Sequence, residues 1–275
     1  MSDHTIERDG VELSLTEEGN GGLVVLLHGL TATRGYVVMG SSALQRAGHR
    51  VVAYDARGHG RSSPAEDAAA YGYDELVADL GAVLDASGGE RAVLAGASMG
   101  AHTAAALALR DPERVAGLVL VTPAFDPGAP PDPRRMARWQ SLADGLRHAG
   151  VEGFMRAFGE PAVPERWRET VLKVVRQRLS EHEHPAALAD ALEVVPRSSP
   201  FADMAELEEI EAPAVVVASR DEVDPEHPYE VGEAWAEAIP GARLVSEDPG
   251  ASPLAWQGGQ LSQVIVDAAA AAART

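Results

Sequence analysis

The chain has 275 residues, which suits one large domain or one domain carrying a sizeable insertion. Its 45% hydrophobic content can build a core and excludes general disorder, while a formal charge of −19 excludes the basic footprint that nucleic acid needs. The same charge disfavours an anionic membrane surface, and the lack of cysteine removes disulfides, thiolate metal sites and a thiol nucleophile together.

The first residues, Met1-Ser2-Asp3-His4, carry no basic segment followed by an apolar one, and no apolar run reaches membrane-spanning length. The expectation is a soluble, cytoplasmic protein. Thr5 to Glu17 reads as a hairpin around Asp9-Gly10, a two-residue turn signal. Leu23 to Leu27 and Val51 to Asp55 are apolar runs of the kind found in strands buried on both faces, with a helix between them ending near Gly48. Tyr73 to Ala86 has helical spacing. Ala92 to Ala95 predicts a strand, Met99 to Arg110 a helix stopped by Asp111-Pro112, and Val115 to Val121 another strand. This alternation implies a mainly parallel sheet with helices on both faces.

The rhythm breaks at Asp126 to Pro133, where four of eight residues are proline. From Arg134 to about Pro200 the pattern is helical. Alternation resumes with a strand at Ala214 to Ser219, a helix at Tyr229 to Ile239, a short strand at Arg243 to Ser246 and a last helix from about Gly258. The chain thus divides into an α/β core, residues 1–125 and 201–275, and a helical cap inserted at 126–200.

Gly96-Ala97-Ser98-Met99-Gly100 fits G-x-S-x-G and sits between a predicted strand and a predicted helix, the setting of a nucleophile elbow. A turn that tight leaves no room for side chains at its flanks, hence Gly96 and Gly100. His28-Gly29-Leu30 follows a buried strand, and Asp55-Ala56-Arg57-Gly58-His59-Gly60-Arg61-Ser62 follows the next one. In this order and spacing the three motifs resemble the α/β-hydrolase superfamily over nearly the whole chain. The resemblance implies an eight-stranded, mainly parallel sheet, Ser98 as nucleophile, and Leu30 and Met99 N–H groups as the oxyanion hole. It assigns His28 to bracing the oxyanion loop, and His59 and Arg61 to loop scaffolding.

The resemblance also implies an acid after the strand beyond the cap. Asp221, four residues before Pro225, matches D-x-x-x-P; Asp224 is the fallback, and Asp126 is an outsider. The family's histidine should follow the last strand, and there Ala251 stands where histidine belongs. Two explanations follow. One is a substituted catalytic base, leaving an impaired enzyme. The other is a natural loss, giving either a ligand-binding protein or an enzyme with a relocated base. His227 in the acid loop is the relocated candidate; His102, one helical turn beyond Ser98, is expected to face away.

Residues 126–200 hold eleven basic and eleven acidic side chains, so the cap is neutral. Trp139, Phe154, Phe158 and Trp167 offer an apolar pocket or simple packing, and Arg134, Arg135 and Arg138 offer a carboxylate contact or a solvated face. The expected activity is hydrolysis of a carboxylic ester, lactone or thioester of a small apolar molecule through an acyl-enzyme on Ser98. The alternatives are C–C bond hydrolysis, acyl transfer or non-catalytic binding. Epoxide hydrolase and dehalogenase are disfavoured, because those relatives carry Asp at the nucleophile position. The small-molecule substrate is the expected partner, with no metal or cofactor, no nucleic acid and no membrane; a homodimer is compatible with this reading.

Overall fold

Asp9 and Gly10 both adopt left-handed backbone, with φ of 49° and 75°. That turn twists the way paired strands do, and it joins β1 (Ser2–Arg8) to β2 (Val11–Glu18) as an antiparallel hairpin. The computed structural model describes residues 2–89, 91–130, 132–220, 224, 226–248, 256 and 258–274. Six further strands follow: β3 (Leu23–Leu27), β4 (Arg50–Tyr54), β5 (Ala92–Ala97), β6 (Val115–Val121), β7 (Ala214–Val217) and β8 (Arg243–Val245). They form one eight-stranded sheet in the order β1-β2-β4-β3-β5-β6-β7-β8. β2 meets β4 antiparallel, and every pair from β4 to β8 is parallel. The α/β-hydrolase architecture expected from the motifs is therefore the one present.

The helices are α1 (Ala43–Arg46), α2 (Tyr73–Ala86), α3 (Met99–Arg110), α4 (Pro133–Phe158), α5 (Glu165–Leu179), α6 (Pro185–Val194), α7 (Tyr229–Ala238) and α8 (Gly259–Ala272). All five residues of β3 are buried because the sheet is covered on both sides. The two-residue period of a strand then sorts them. Leu23, Val25 and Leu27 join α2 and α3 residues such as Leu80 and Ala104 in one core. Val24 and Leu26 join Leu44 of α1 and Ile265 of α8 in the other.

Helices α4, α5 and α6 lie between β6 and β7, in the stretch expected to be helical. Asp132 caps α4 by accepting a hydrogen bond from the Arg134 N–H at 2.9 Å. Within α4, Ala149 (φ −144°) and Gly150 (φ 58°) break the helical backbone, so the element bends back on itself. Leu142, Leu146, Leu188 and Leu192 are buried and continuous with the α2–α3 core. Each such leucine contributes about 1.5–3 kcal/mol of burial, which anchors the insert to the body of the domain. Among the described residues, no helix is long and apolar enough to cross a membrane.

Candidate active site

The strand β5 stops at Ala97 and α3 begins at Met99, leaving a single residue, Ser98, to make the turn. Ser98 pays with a φ of 50° and ψ of −112°, a conformation that costs an L-residue on the order of 1–3 kcal/mol. The turn is held by the Ser98 N–H bonded to the Val121 carbonyl (2.9 Å) and by the Ser98 carbonyl accepting from the His102 N–H (3.0 Å). The flanking glycines are obligatory. A Cβ on Gly96 would lie 2.2 Å from the Gly100 carbonyl oxygen, and one on Gly100 would lie 2.3 Å from that of Leu27. Met99 opens α3, so its N–H falls in the first helical turn, where no intrahelical carbonyl reaches it.

His227 reaches Ser98. Its Nε2 lies 2.8 Å from Ser98 Oγ, and its Nδ1 lies 2.8 Å from both oxygens of Asp224. These partners select one tautomer of the neutral ring: Nδ1–H donates to Asp224, and Nε2 accepts from the Ser98 hydroxyl. Asp224 and His227 come from the short connection between β7 and α7, where the His227 N–H approaches the Asp224 carbonyl at 3.4 Å. Burial raises the Asp224 pKa, but His227, Arg178 and the Glu226 N–H together outweigh it, and the carboxyl ends below its ordinary value. Asp221 and Ala251, the acid and the vacant histidine position of the family pattern, both lie outside the described residues. Within the described residues, the two side chains that complete the line to Ser98 are Asp224 and His227, the fallback acid and the relocated base. Their signal in the sequence was the place of both residues in the loop after the strand beyond the cap, where an acid is expected.

His102 does face away from the Ser98 hydroxyl. Its Nε2 accepts from the Ala124 N–H (2.9 Å), and its Nδ1 lies 2.7 Å from the Tyr73 hydroxyl. Burial drives its pKa down to about 3. The other buried histidines line up under the loop after β3. His28 Nδ1 lies 2.8 Å from the Gly29 carbonyl, His59 Nε2 lies 2.7 Å from the Leu30 carbonyl, and His182 Nε2 lies 3.2 Å from the Thr31 carbonyl. Three consecutive carbonyls are thus each met by a histidine. The rings pack in sequence, 5.1 Å between His28 and His59 and 5.7 Å between His59 and His182. His28 and His59 accordingly act as loop supports. His182, from the connection between α5 and α6, is a third support that sequence reasoning missed, since nothing local to it indicates a partner 151 residues away. Arg61 is exposed, with loose pairings to Asp3 (3.6 Å) and Glu183 (3.7 Å).

Of the aromatic residues in the insert, Phe154 is buried in the core and stacks on Phe158 with centroids 6.0 Å apart. Trp139 is half-buried, and its indole N–H is sealed from solvent with no acceptor among the described residues. Trp167 is half-buried. Arg135 and Arg138 face Glu226, next to His227, at 3.8 Å and 3.6 Å.

A strand–Ser98–helix elbow in a mainly parallel eight-stranded sheet defines an α/β-hydrolase. The sequence pattern of the alpha/beta hydrolase fold matches residues 22–257, and the chain belongs to that family. Epoxide hydrolase B of Mycobacterium tuberculosis is 42% identical over 122 residues, 42% of this chain and 34% of that protein, so the match spans about a third of that relative's length. The Azorhizobium caulinodans protein named "Putative carbamate hydrolase RutD" is 30% identical over 206 residues, 74% of this chain and 75% of that one. Among solved structures, Est816, described as an N-acyl homoserine lactone degrading enzyme, is 28% identical with a TM-score of 0.69, covering 89% of this chain and 91% of its own.

Proposed function

We propose that the chain is an active serine hydrolase that cleaves a carboxylic ester or lactone, with His227 as its base and Asp224 as the acid that orients it. The observation that carries this reading is the 2.8 Å contact between His227 Nε2 and Ser98 Oγ, continued at 2.8 Å from Nδ1 to Asp224. In this mechanism Ser98 Oγ attacks the carbonyl carbon while its proton passes to Nε2. The Leu30 and Met99 N–H groups receive the developing oxyanion. The imidazolium returns the proton to the leaving oxygen, and water then releases the acyl group by the same steps in reverse roles. Asp224 holds the ring in the tautomer that can accept and stabilises its charged form. Helices α4 to α6 act as the lid over this site.

This reading replaces the expectation of an impaired enzyme, because the relocated histidine meets the geometric requirement that an alanine at position 251 leaves unmet. Opening an epoxide through an alkyl-enzyme ester needs a carboxylate at the elbow, and residue 98 is a hydroxyl. The lactone-degrading and carbamate-hydrolysing relatives support acyl chemistry instead.

The test is labelling by a fluorophosphonate probe together with hydrolysis of p-nitrophenyl acetate. The unaltered protein should label and turn over, Ser98→Ala should do neither, and His227→Ala should lose on the order of 10³-fold or more in kcat. A protein that is inert as it stands but gains turnover on Ala251→His would overturn the proposal and restore the impaired-enzyme reading.

A further inference from the structure

Arg178 stands in the last turn of α5, and the residues after it are fastened to the loop beyond β3. Glu181 accepts hydrogen bonds from the Thr33 hydroxyl (2.9 Å) and the Tyr36 hydroxyl (2.9 Å), while His182 Nε2 lies 3.2 Å from the Thr31 carbonyl. These contacts press the Arg178 side chain against the same loop. Its Cζ lies 5.5 Å over the Tyr36 ring, and its Nη1 lies 3.4 Å from the Thr31 hydroxyl. Thr31 directly follows Leu30, the residue whose N–H is proposed to receive the oxyanion. Asp224 lies within the reach of the same cation. The guanidinium therefore lies against the loop that would hold the oxyanion, and its charge is felt at Asp224.

A guanidinium presents five N–H donors and no acceptor. At Arg178 the Nε–H is sealed from solvent with no acceptor among the described residues. Glu181, in the turn just after α5, has one oxygen engaged by Thr33 and the other by Tyr36. Arg57 and Arg34, by contrast, are ion-paired: Arg57 grips Asp79 with Nε at 2.7 Å and Nη2 at 2.6 Å, and Arg34 Nη1 lies 2.6 Å from Asp55. In a chain with 42 acidic side chains against 23 basic ones, Arg178 is a half-buried arginine whose Nε–H has no acceptor among the described residues. Burial without pairing is unfavourable for any charge, and an incoming anion would relieve it.

We propose that Arg178 is the anchor for a carboxylate carried by the substrate, so that the ester or lactone cleaved at Ser98 bears a free carboxylate group. The Nε and Nη edge of a guanidinium matches the two oxygens of a carboxylate, and a negatively charged substrate would need such an anchor to enter a strongly acidic molecule. This proposal rests on the serine-hydrolase reading above.

Two esters that differ in one group test it: p-nitrophenyl butyrate and mono-p-nitrophenyl glutarate, which ends in a carboxylate. The ratio of their kcat/KM values is the readout. In the unaltered protein the ratio should favour the glutarate ester. In Arg178→Gln it should fall by about 10- to 100-fold, chiefly through KM, as expected for losing a charged hydrogen-bonded contact, and Arg178→Lys should recover part of it. A ratio that stays the same while both rates fall would overturn the proposal and assign Arg178 to Asp224 alone. A second arm does not depend on turnover: calorimetric titration of free glutarate into the unaltered protein and into Arg178→Gln, each checked by circular dichroism. Glutarate binding lost in the variant sustains the anchor even if neither ester is cleaved, which would sink only the hydrolase reading. Glutarate binding absent from the unaltered protein sinks the anchor whatever the esterase result.

Discussion

At the scale of single residues, the site depends on a serine held in a backbone conformation it would not choose. Ser98 at φ 50° is kept there by the strand behind it and the helix ahead of it, and its hydroxyl is thereby aimed at His227. In the proposed mechanism Asp224 contributes orientation. With both carboxylate oxygens 2.8 Å from Nδ1, the ring cannot easily turn its protonated nitrogen toward serine. Asp224→Asn replaces one acceptor oxygen with an N–H₂ donor and lets the ring adopt the wrong tautomer. We expect kcat to fall by about 10²- to 10⁴-fold with the fold intact, measured on p-nitrophenyl acetate with circular dichroism as the control. A loss smaller than tenfold would mean that another carboxylate, Asp221 being the first to examine, orients the base.

At the scale of elements, the elbow is a joint between β3, β5 and α3, and its tolerance is set by backbone approach. The Gly100 position lies so close to the Leu27 carbonyl that an added Cβ would sit 2.3 Å from its oxygen and 2.7 Å from the Leu27 Cβ. Neither atom can move without shifting β3, whose five residues are buried on both faces. Gly100→Ala is therefore expected to lower unfolding stability by about 3 kcal/mol or more, or to yield insoluble protein. Denaturant titration measures it, and a loss under 1 kcal/mol would show that α3 can slide away from β3. The second joint is between the insert and the core, where Glu181 and His182 reach the loop of residues 29–36. It ties the insert to the loop after β3 through hydrogen bonds.

At the scale of the whole molecule, four buried histidines make stability depend on pH. Burial lowers the pKa of His28 and His59, and brings His102 and His182 down to about 3 from an ordinary value of 6.5. The folded protein keeps the His102 and His182 rings neutral well below pH 6.5, where the unfolded chain takes up protons. The stability that His102 and His182 contribute is therefore complete well above pH 6.5, declines as pH falls, and stops declining below their folded values of about 3. At pH 5 the loss is roughly 2 kcal/mol each for His102 and His182. Thermal melts from pH 7.5 to pH 5, a window above most carboxylate titration, should show Tm falling steadily below pH 6.5. A flat Tm across that window would show that the rings are not held neutral.

Much of the architecture was legible in the chain because it is local. The helices Tyr73–Ala86 and Met99–Arg110 and the strand Val115–Val121 occupy the residues that periodicity predicts, since periodic burial of apolar side chains acts within a few residues. The elbow was legible for the same reason: two glycines and a serine between a strand and a helix satisfy a steric requirement within five residues. The sequence by itself thus determined the sheet, the helices and the position of Ser98, while the support given by His28 and His59 was implied by the family resemblance. Only the tertiary structure decided which histidine meets Ser98, because His227 comes from 129 residues away and its approach depends on how the chain after β7 crosses the sheet. It also decided that Arg178 and His182 lie against the loop after β3. No spacing in the sequence encodes such contacts; they follow from the insert folding back over the end of the sheet, where residues distant in the chain are brought within hydrogen-bonding reach.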